Sequence, residues 1–299
     1  LTCLLLPLHA LILIIIILYF GFKNQKYVEH FITRNTKKIA FCFLITDEIN
    51  QEKLWFNFFK KINNNKYNIY IHYKKNNKLK YFEKYKLKYN ETIPTKWCDK
   101  SLVVSQNILL KKALTDNDNQ HFIFVSGSCI PIKSFNYIYN LLDSKYSYFN
   151  RTPKYVSKID NINMDKASQW CILNRKHANI LLDNTNGQTV IFNIFKNNKI
   201  RGCLDEYTYI TILNNLNLNF NNELKLTNNL ASNSTTFANW LDCTNYKNFK
   251  GSIKTGHPSN YNYICPEELD FLINSKSLFA RKFNKNCRGL GKIHKFITI

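Results

Sequence analysis

The sequence predicts an α/β protein: a mainly parallel central sheet flanked by helices, preceded by one membrane-spanning helix. Three observations carry this. Residues 39–45, IAFCFLI, form a continuous apolar run of strand length, the pattern of a strand buried on both faces. Residues 67–74 alternate, which sets Tyr67, Ile69, Ile71 and Tyr73 on one face of a second strand. Amphipathic segments at 51–62 and from Ser101 to Leu114 separate these from a third apolar run at 121–125. The order β-α-β-α-β is the one that builds a parallel sheet.

Taken from the start, residues 1–22 carry no formal charge apart from what His9 can acquire. A helix rising about 1.5 Å per residue needs about 20 such residues to cross about 30 Å of hydrocarbon. This stretch is therefore read as a signal-anchor, with 23–37 as a polar stem and 38–299 as one folded unit. Lys23, Lys26, Arg34, Lys37 and Lys38 follow the span, but Lys is spread along the whole chain, so the positive-inside rule decides nothing here. Ser101 is placed to cap the helix that ends near Leu114. A turn at Asp116–Gln120 leads into strand 121–125, then SGSCIPIK, then a helix from Ser134 to Asp143. Further on, 168–173 reads as a strand, 175–183 as a helix and 184–200 as an Asn/Lys-rich connection. Residues 205–216 read as a helix capped by Asp205, and 235–242 and 278–283 as late strands.

Composition limits the chemistry less than it first suggests. The formal net charge is +22, from 42 Lys+Arg against 20 Asp+Glu. Such an excess suits a polyanion or a nucleoside diphosphate. The lysines are dispersed rather than gathered on one face, and no aromatic-basic motif of the RNA-binding kind is present, so a nucleic-acid partner is not expected. Nine cysteines occur with no CxxC pair, which argues against a zinc site and leaves the compartment open. No GxSxG, P-loop, GxGxxG or HExxH is present. The pair Asp116 and Asp118 spells D-x-D, but before a strand rather than after one, and reads as a turn. Three glycosylation sequons begin at Asn90, Asn150 and Asn233.

Two segments point to a site. Val125 to Lys133, VSGSCIPIK, follows a buried strand at the sheet edge where ligands bind, which marks Ser126 and Ser128. CLDEY, Cys203 to Tyr207, opens a helix with two adjacent carboxylates. If Asp205 caps, Glu206 is free to point elsewhere; its plainer role is to complement the helix dipole. A helix start favours the ionised carboxylate, while burial opposes it.

These pieces occur in one order with others: KIAFCFLI (38–45), YNIYIHYKK (67–75), IPTKW (93–97), FVSGSCIPIKSFNYIYNLL (124–142), KASQW (166–170), CLDEYTYITIL (203–213), GHPSNY (256–261) and LFARKF (278–283). In that order the chain resembles the core-2/I-branching β-1,6-N-acetylglucosaminyltransferases, glycosyltransferase family 14, and their plant-type relatives in particular. The resemblance implies a GT-A-like nucleotide-sugar fold. It also implies an inverting transfer from a UDP-sugar to a glycan or glycoprotein hydroxyl, with no metal or other cofactor, and a catalytic domain in the Golgi or ER lumen. N-acetylglucosamine is the first expected donor sugar; xylose and glucuronic acid are the alternatives, as is a glycan-binding relative without turnover. The family's base maps onto Glu206, its nucleotide-binding His onto His72 beside Ile71, and its diphosphate-binding cation onto Lys282 with Arg281 adjacent. Trp170 and Asp205 are assigned to the acceptor side, while Trp97 is expected in the core. Two departures stand out. Ser128 and Cys129 occupy a loop where the better-studied members carry Asp. Ser259 stands where they carry Arg, which leaves Lys254 or His257 to take its part. A third family Lys falls near Lys158.

Overall fold

A computed structural model describes residues 37–152, 157–197, 202–216, 224–228, 235–240 and 258–298. The chain divides into two units, Leu1–Lys37 and Lys38–Ile299. The expected span at 1–22, and the stem at 23–37 apart from its last residue, lie outside the described residues. Among the described residues no helix is long and apolar enough to cross a membrane.

The first strand, β1 (Lys38–Ile45), lies between β2 (Tyr67–Tyr73) and β3 (Asn119–Ser126), parallel to both. The sheet continues through β8 (Ile172–Asn174), antiparallel to β3, then β5 (Ser147–Arg151) and β9 (Leu224–Asn228). The central sheet is thus parallel-rich rather than wholly parallel.

The continuous apolar run of β1 is buried because both sheet faces are covered. On one face Ile39, Phe41, Phe43 and Ile45 pack against helix α1 (Glu52–Phe59), which contributes Leu54, Trp55, Phe58 and Phe59. Phe41 meets Trp55, Phe58 and Phe59 edge-on at 6.2, 5.9 and 5.0 Å between ring centroids. Such burial stabilises by about 1.5–3 kcal/mol per ring, with further gain from edge-to-face geometry. On the other face Ala40, Cys42 and Leu44 pack against α2 (Lys100–Ala113) and α6 (Leu204–Leu216). Helix α3 (Phe135–Leu141) starts where expected, its Ser134 hydroxyl accepting from the Tyr137 N–H at 3.3 Å.

Two helix starts differ from expectation. The cap of α2 is Asp99, whose carboxylate accepts from the Ser101 N–H at 2.8 Å; Ser101 already belongs to the first turn. Helix α6 begins at Leu204, so Asp205 is inside its first turn rather than capping it. Residues 184–200, read as a connection, contain α5 (Thr185–Asn197), which follows α4 (Arg175–Asp183) after one residue. Gln188, Ile191, Ile194 and Phe195 form its buried stripe, a helical spacing diluted by Asn and Lys on the exposed side.

A smaller sheet completes the unit. β4 (Ile130–Pro131) pairs antiparallel with β12 (Phe279–Arg281), which pairs parallel with β10 (Thr236–Ala238). Helix α7 (Pro266–Asn274) and strand β13 (Phe283–Arg288) flank β12 in sequence. This small sheet carries the C-terminal segment back to the edge of the main one.

Candidate active site

The three parallel strands end together: Ile45 pairs with Tyr73 and Leu44 with Ser126. The chain leaving them forms a cleft of about 440 Å³, lined by Thr46, Asp47 and Glu48 after β1, Lys74 after β2, and Gly127 and Ser128 after β3. A ligand cleft beyond the carboxyl ends of parallel strands is the general arrangement of open α/β sheets. Gly127 is required by close approach: a Cβ there would lie 2.3 Å from the Glu48 carbonyl oxygen. Ser126 and Ser128 both line the cleft, with their hydroxyls 3.0 Å apart.

The pairing of β12 with β4 brings Arg281 and Lys282 onto the cleft wall, and the Phe283 N–H donates to the Ser128 carbonyl at 2.9 Å. The Arg281 guanidinium lies over the Trp170 ring, 4.9 Å from its centroid, a cation–π contact. Its Nε is buried with no hydrogen-bond partner. Burial pulls Arg281 below the ordinary guanidinium range, while the thiol of Cys129 and the carboxylates of Glu206 and Asp205 pull it back up. Lys282 is lowered by burial first and by the neighbouring Arg281 second. Both departures reflect positive charge held in the fold at a desolvation cost.

Glu206 borders the cleft without lining it. It stands in the first turn of α6, its N–H donating to the Cys203 carbonyl at 2.9 Å. The Ala167 N–H donates to the Glu206 carbonyl at 2.8 Å. Its Oε2 pairs with Lys166 Nζ at 3.1 Å, with 29% of the Glu206 side chain and 22% of the Lys166 side chain exposed. From Lys166 the chain runs through Gln169 and Trp170, which do line the cleft. Asp205 is 7% exposed, and its Oδ1 is buried with no partner.

Burial first and the Glu206 charge second push the Asp205 carboxyl from the ordinary 3.8 up to about 7. In the unfolded chain this group ionises near pH 4, so from there to about 7 the folded state binds the extra proton. Its contribution is fully present at low pH and is lost as pH rises through that window. Asp205→Asn should therefore leave the melting temperature unchanged near pH 4 and raise it increasingly, relative to the wild type, as pH approaches 7. Thermal melts of the two proteins across this range check it. A difference that does not change with pH would refute the assignment.

The remaining expected residues fall elsewhere. Ile71 is wholly buried, and its carbonyl accepts from the Leu87 N–H at 2.9 Å. His72 is also wholly buried and is not among the cleft-lining residues; its Nε2 accepts from the Ile93 N–H at 3.1 Å. Burial lowers its pKa to about 4, so the ring is neutral, and the bond from Ile93 leaves the proton on Nδ1. Its observed contact is with the start of IPTKW, whose Thr95, Lys96 and Trp97 line the cleft. Trp97 is 70% exposed, not a core residue. The next residue, Cys98, has φ 56° and is disulfide-bonded to Cys203, which holds this segment against the start of α6 rather than in the interior. Lys254 and His257 lie outside the described residues. Lys158 is exposed on the hairpin of β6 (Ser157–Ile159) and β7 (Ile162–Met164).

The D-x-D pair is engaged at the opposite end of the sheet: Lys38 Nζ lies 2.9 Å from Asp116 and 3.5 Å from Asp118. Among the described residues no cluster of three or more His, Cys, Asp and Glu could hold a metal ion. Of the sequons, Asn90 is exposed, whereas the Asn150 amide is buried against Thr235 and Thr236. Sequence reasoning passed over Lys166, although it opens the KASQW station, because only the fold sets it against Glu206.

The molecule is thus an α/β protein with a cleft at a parallel-strand edge, four cationic side chains (Lys74, Lys96, Arg281 and Lys282) on its wall, and a pair of carboxylates at the start of α6. The chain belongs to the Core-2/I-Branching enzyme family, whose sequence model matches residues 39–156 and 144–272. It is also 28% identical over 163 residues to a protein of Oryza sativa subsp. japonica named Glycosyltransferase BC10. That match covers 49% of this chain and 40% of the rice protein. The chain thus spans well under two thirds of that relative's length.

Proposed function

We propose that the chain is an inverting glycosyltransferase that moves a sugar from a UDP-sugar to a glycan or glycoprotein hydroxyl, with no metal in the reaction. N-acetylglucosamine is the first donor sugar to test. The observation that carries this reading is the Arg281–Lys282 pair on the cleft wall, with Arg281 electrostatically coupled to the carboxylates of α6. In a single in-line displacement the acceptor oxygen bonds to the anomeric carbon as the bond from that carbon to the diphosphate oxygen breaks. Glu206 takes the acceptor proton as general base. Arg281 and Lys282 stabilise the negative charge that develops on the departing diphosphate, the task a metal performs elsewhere. Ser126 and Ser128 contact the donor, and Trp170 and Asp205 face the acceptor; His72 serves the nucleotide end by holding Ile93.

Residues 1–22 act as the anchor, with the catalytic domain in the secretory lumen. The Cys98–Cys203 disulfide supports an oxidising compartment. Two further lysines on the cleft, Lys74 and Lys96, favour one second reading, a uronic acid donor whose carboxylate they would meet. The test is UDP release by the purified 38–299 domain from UDP-N-acetylglucosamine, UDP-xylose and UDP-glucuronic acid, with a panel of glycoside acceptors. Turnover of the first supports the proposal, and exclusive turnover of the last supports the second reading. Release from none of them, with UDP still bound, would leave a glycan-binding relative without turnover.

A further inference from the structure

We propose that Lys166 is a positioning residue for the base, holding the Glu206 carboxylate in the one orientation from which it meets the acceptor. This rests on the reading of Glu206 as the base. The contact itself is a 3.1 Å ion pair between Nζ and Oε2. What makes it more than a surface pair is how firmly Lys166 is mounted. Its N–H donates to Asp165 Oδ1 at 2.8 Å, and its carbonyl accepts from the Thr152 N–H at 2.8 Å.

Asp165 is 1% exposed and acts as the mount. Arg151 Nε donates to its Oδ1 at 3.0 Å, and the Asn214 amide donates to its Oδ2 at 2.5 Å. The Thr211 hydroxyl accepts from its N–H at 3.0 Å and lies 3.1 Å from its carbonyl oxygen. Thr211 and Asn214 belong to α6, the helix that carries Glu206. The Ala167 N–H then donates to the Glu206 carbonyl. Residues 165–167 are thus bonded to α6 at Glu206 and again at Thr211 and Asn214, so the backbones that carry Lys166 and Glu206 are fixed relative to one another. The Lys166 ammonium also lies 5.9 Å from the Tyr207 ring centroid, which gives it a second seat beside the base.

A carboxylate part-exposed at a helix start has several rotamers open to it. An oriented cation selects one and lowers the entropic cost of reaching the reactive geometry. Lys166 touches neither substrate nor the bond that breaks; it acts through Glu206.

The test measures transfer by the full chain, purified in detergent, with the donor that turns over fastest among the three UDP-sugars above. Lys166→Met is expected to lower kcat on the order of 10- to 100-fold with little change in donor KM or in UDP affinity. Lys166→Arg, which restores the charge, should recover most of the loss. In a Glu206→Gln background, Lys166→Met should add less than about a twofold effect, because the residue it positions is gone. Unchanged kcat in Lys166→Met, or full additivity with Glu206→Gln, overturns the proposal. A loss in Lys166→Met together with full activity in Glu206→Gln would instead remove Glu206 as the base.

Discussion

Glu206→Gln should lower kcat at least about 10²-fold and up to about 10⁴-fold, leaving a slow residual transfer, while UDP binds as before. The substitution keeps the shape of the side chain and removes only its ability to accept a proton. The ion pair it breaks is part-exposed on both sides, 22% and 29%, so less than about 1 kcal/mol of stability is at stake. Melting temperature should therefore barely move, which separates lost chemistry from lost folding. Turnover with the best donor, calorimetric UDP binding and a thermal melt on the same preparation make the comparison. Transfer at the wild-type rate would remove the only carboxylate this mechanism assigns as a base.

The second large effect concerns the leaving group. Lys282→Ala is expected to lower kcat on the order of 10²- to 10³-fold and to weaken UDP binding. The developing diphosphate charge then has only Arg281 from this pair. Arg281→Ala should lose as much activity and also disturb the fold locally, since the guanidinium covers Trp170 at 4.9 Å. Arg281→Lys should rescue poorly, because an ammonium replaces neither the planar stack nor the fork of donors. The measurement is donor kinetics for the three variants, with UDP affinity alongside. Retained kcat and UDP affinity in Lys282→Ala would mean that the cleft cations serve some other anion.

How much of this was legible beforehand varies by element. The strands at 39–45, 67–74 and 121–125 could be read because a parallel core strand must be apolar along its length or on one face, whatever packs on it. Helix α5 is not legible in the sequence because its buried stripe of Gln188, Ile191, Ile194 and Phe195 is interleaved with Thr189, Val190, Phe192 and Asn193, which blurs the helical period. Asp at a helix start usually caps it, and the sequence predicts that role for Asp205. The helix instead begins one residue earlier, at Leu204, and the Asp205 carboxylate is buried with its Oδ1 unpartnered. Trp97 is expected in the core from its residue type; it is exposed beside Cys98, whose bond to Cys203 is a pairing no spacing rule singles out among nine cysteines.

By itself the sequence determined the α/β class, the edge of the sheet where a ligand binds, and the two stations that carry carboxylate and cation. These are local facts: runs of apolar residues, a glycine in a tight loop and charges at a helix start act within a few residues of themselves. Only the tertiary structure decided that Arg281 and Lys282 share a cleft wall with Ser128, that Lys166 meets Glu206, and that His72 faces Ile93 rather than the cleft. Each joins residues far apart in the chain through strand register and side-chain packing, and register is set by the whole assembled sheet.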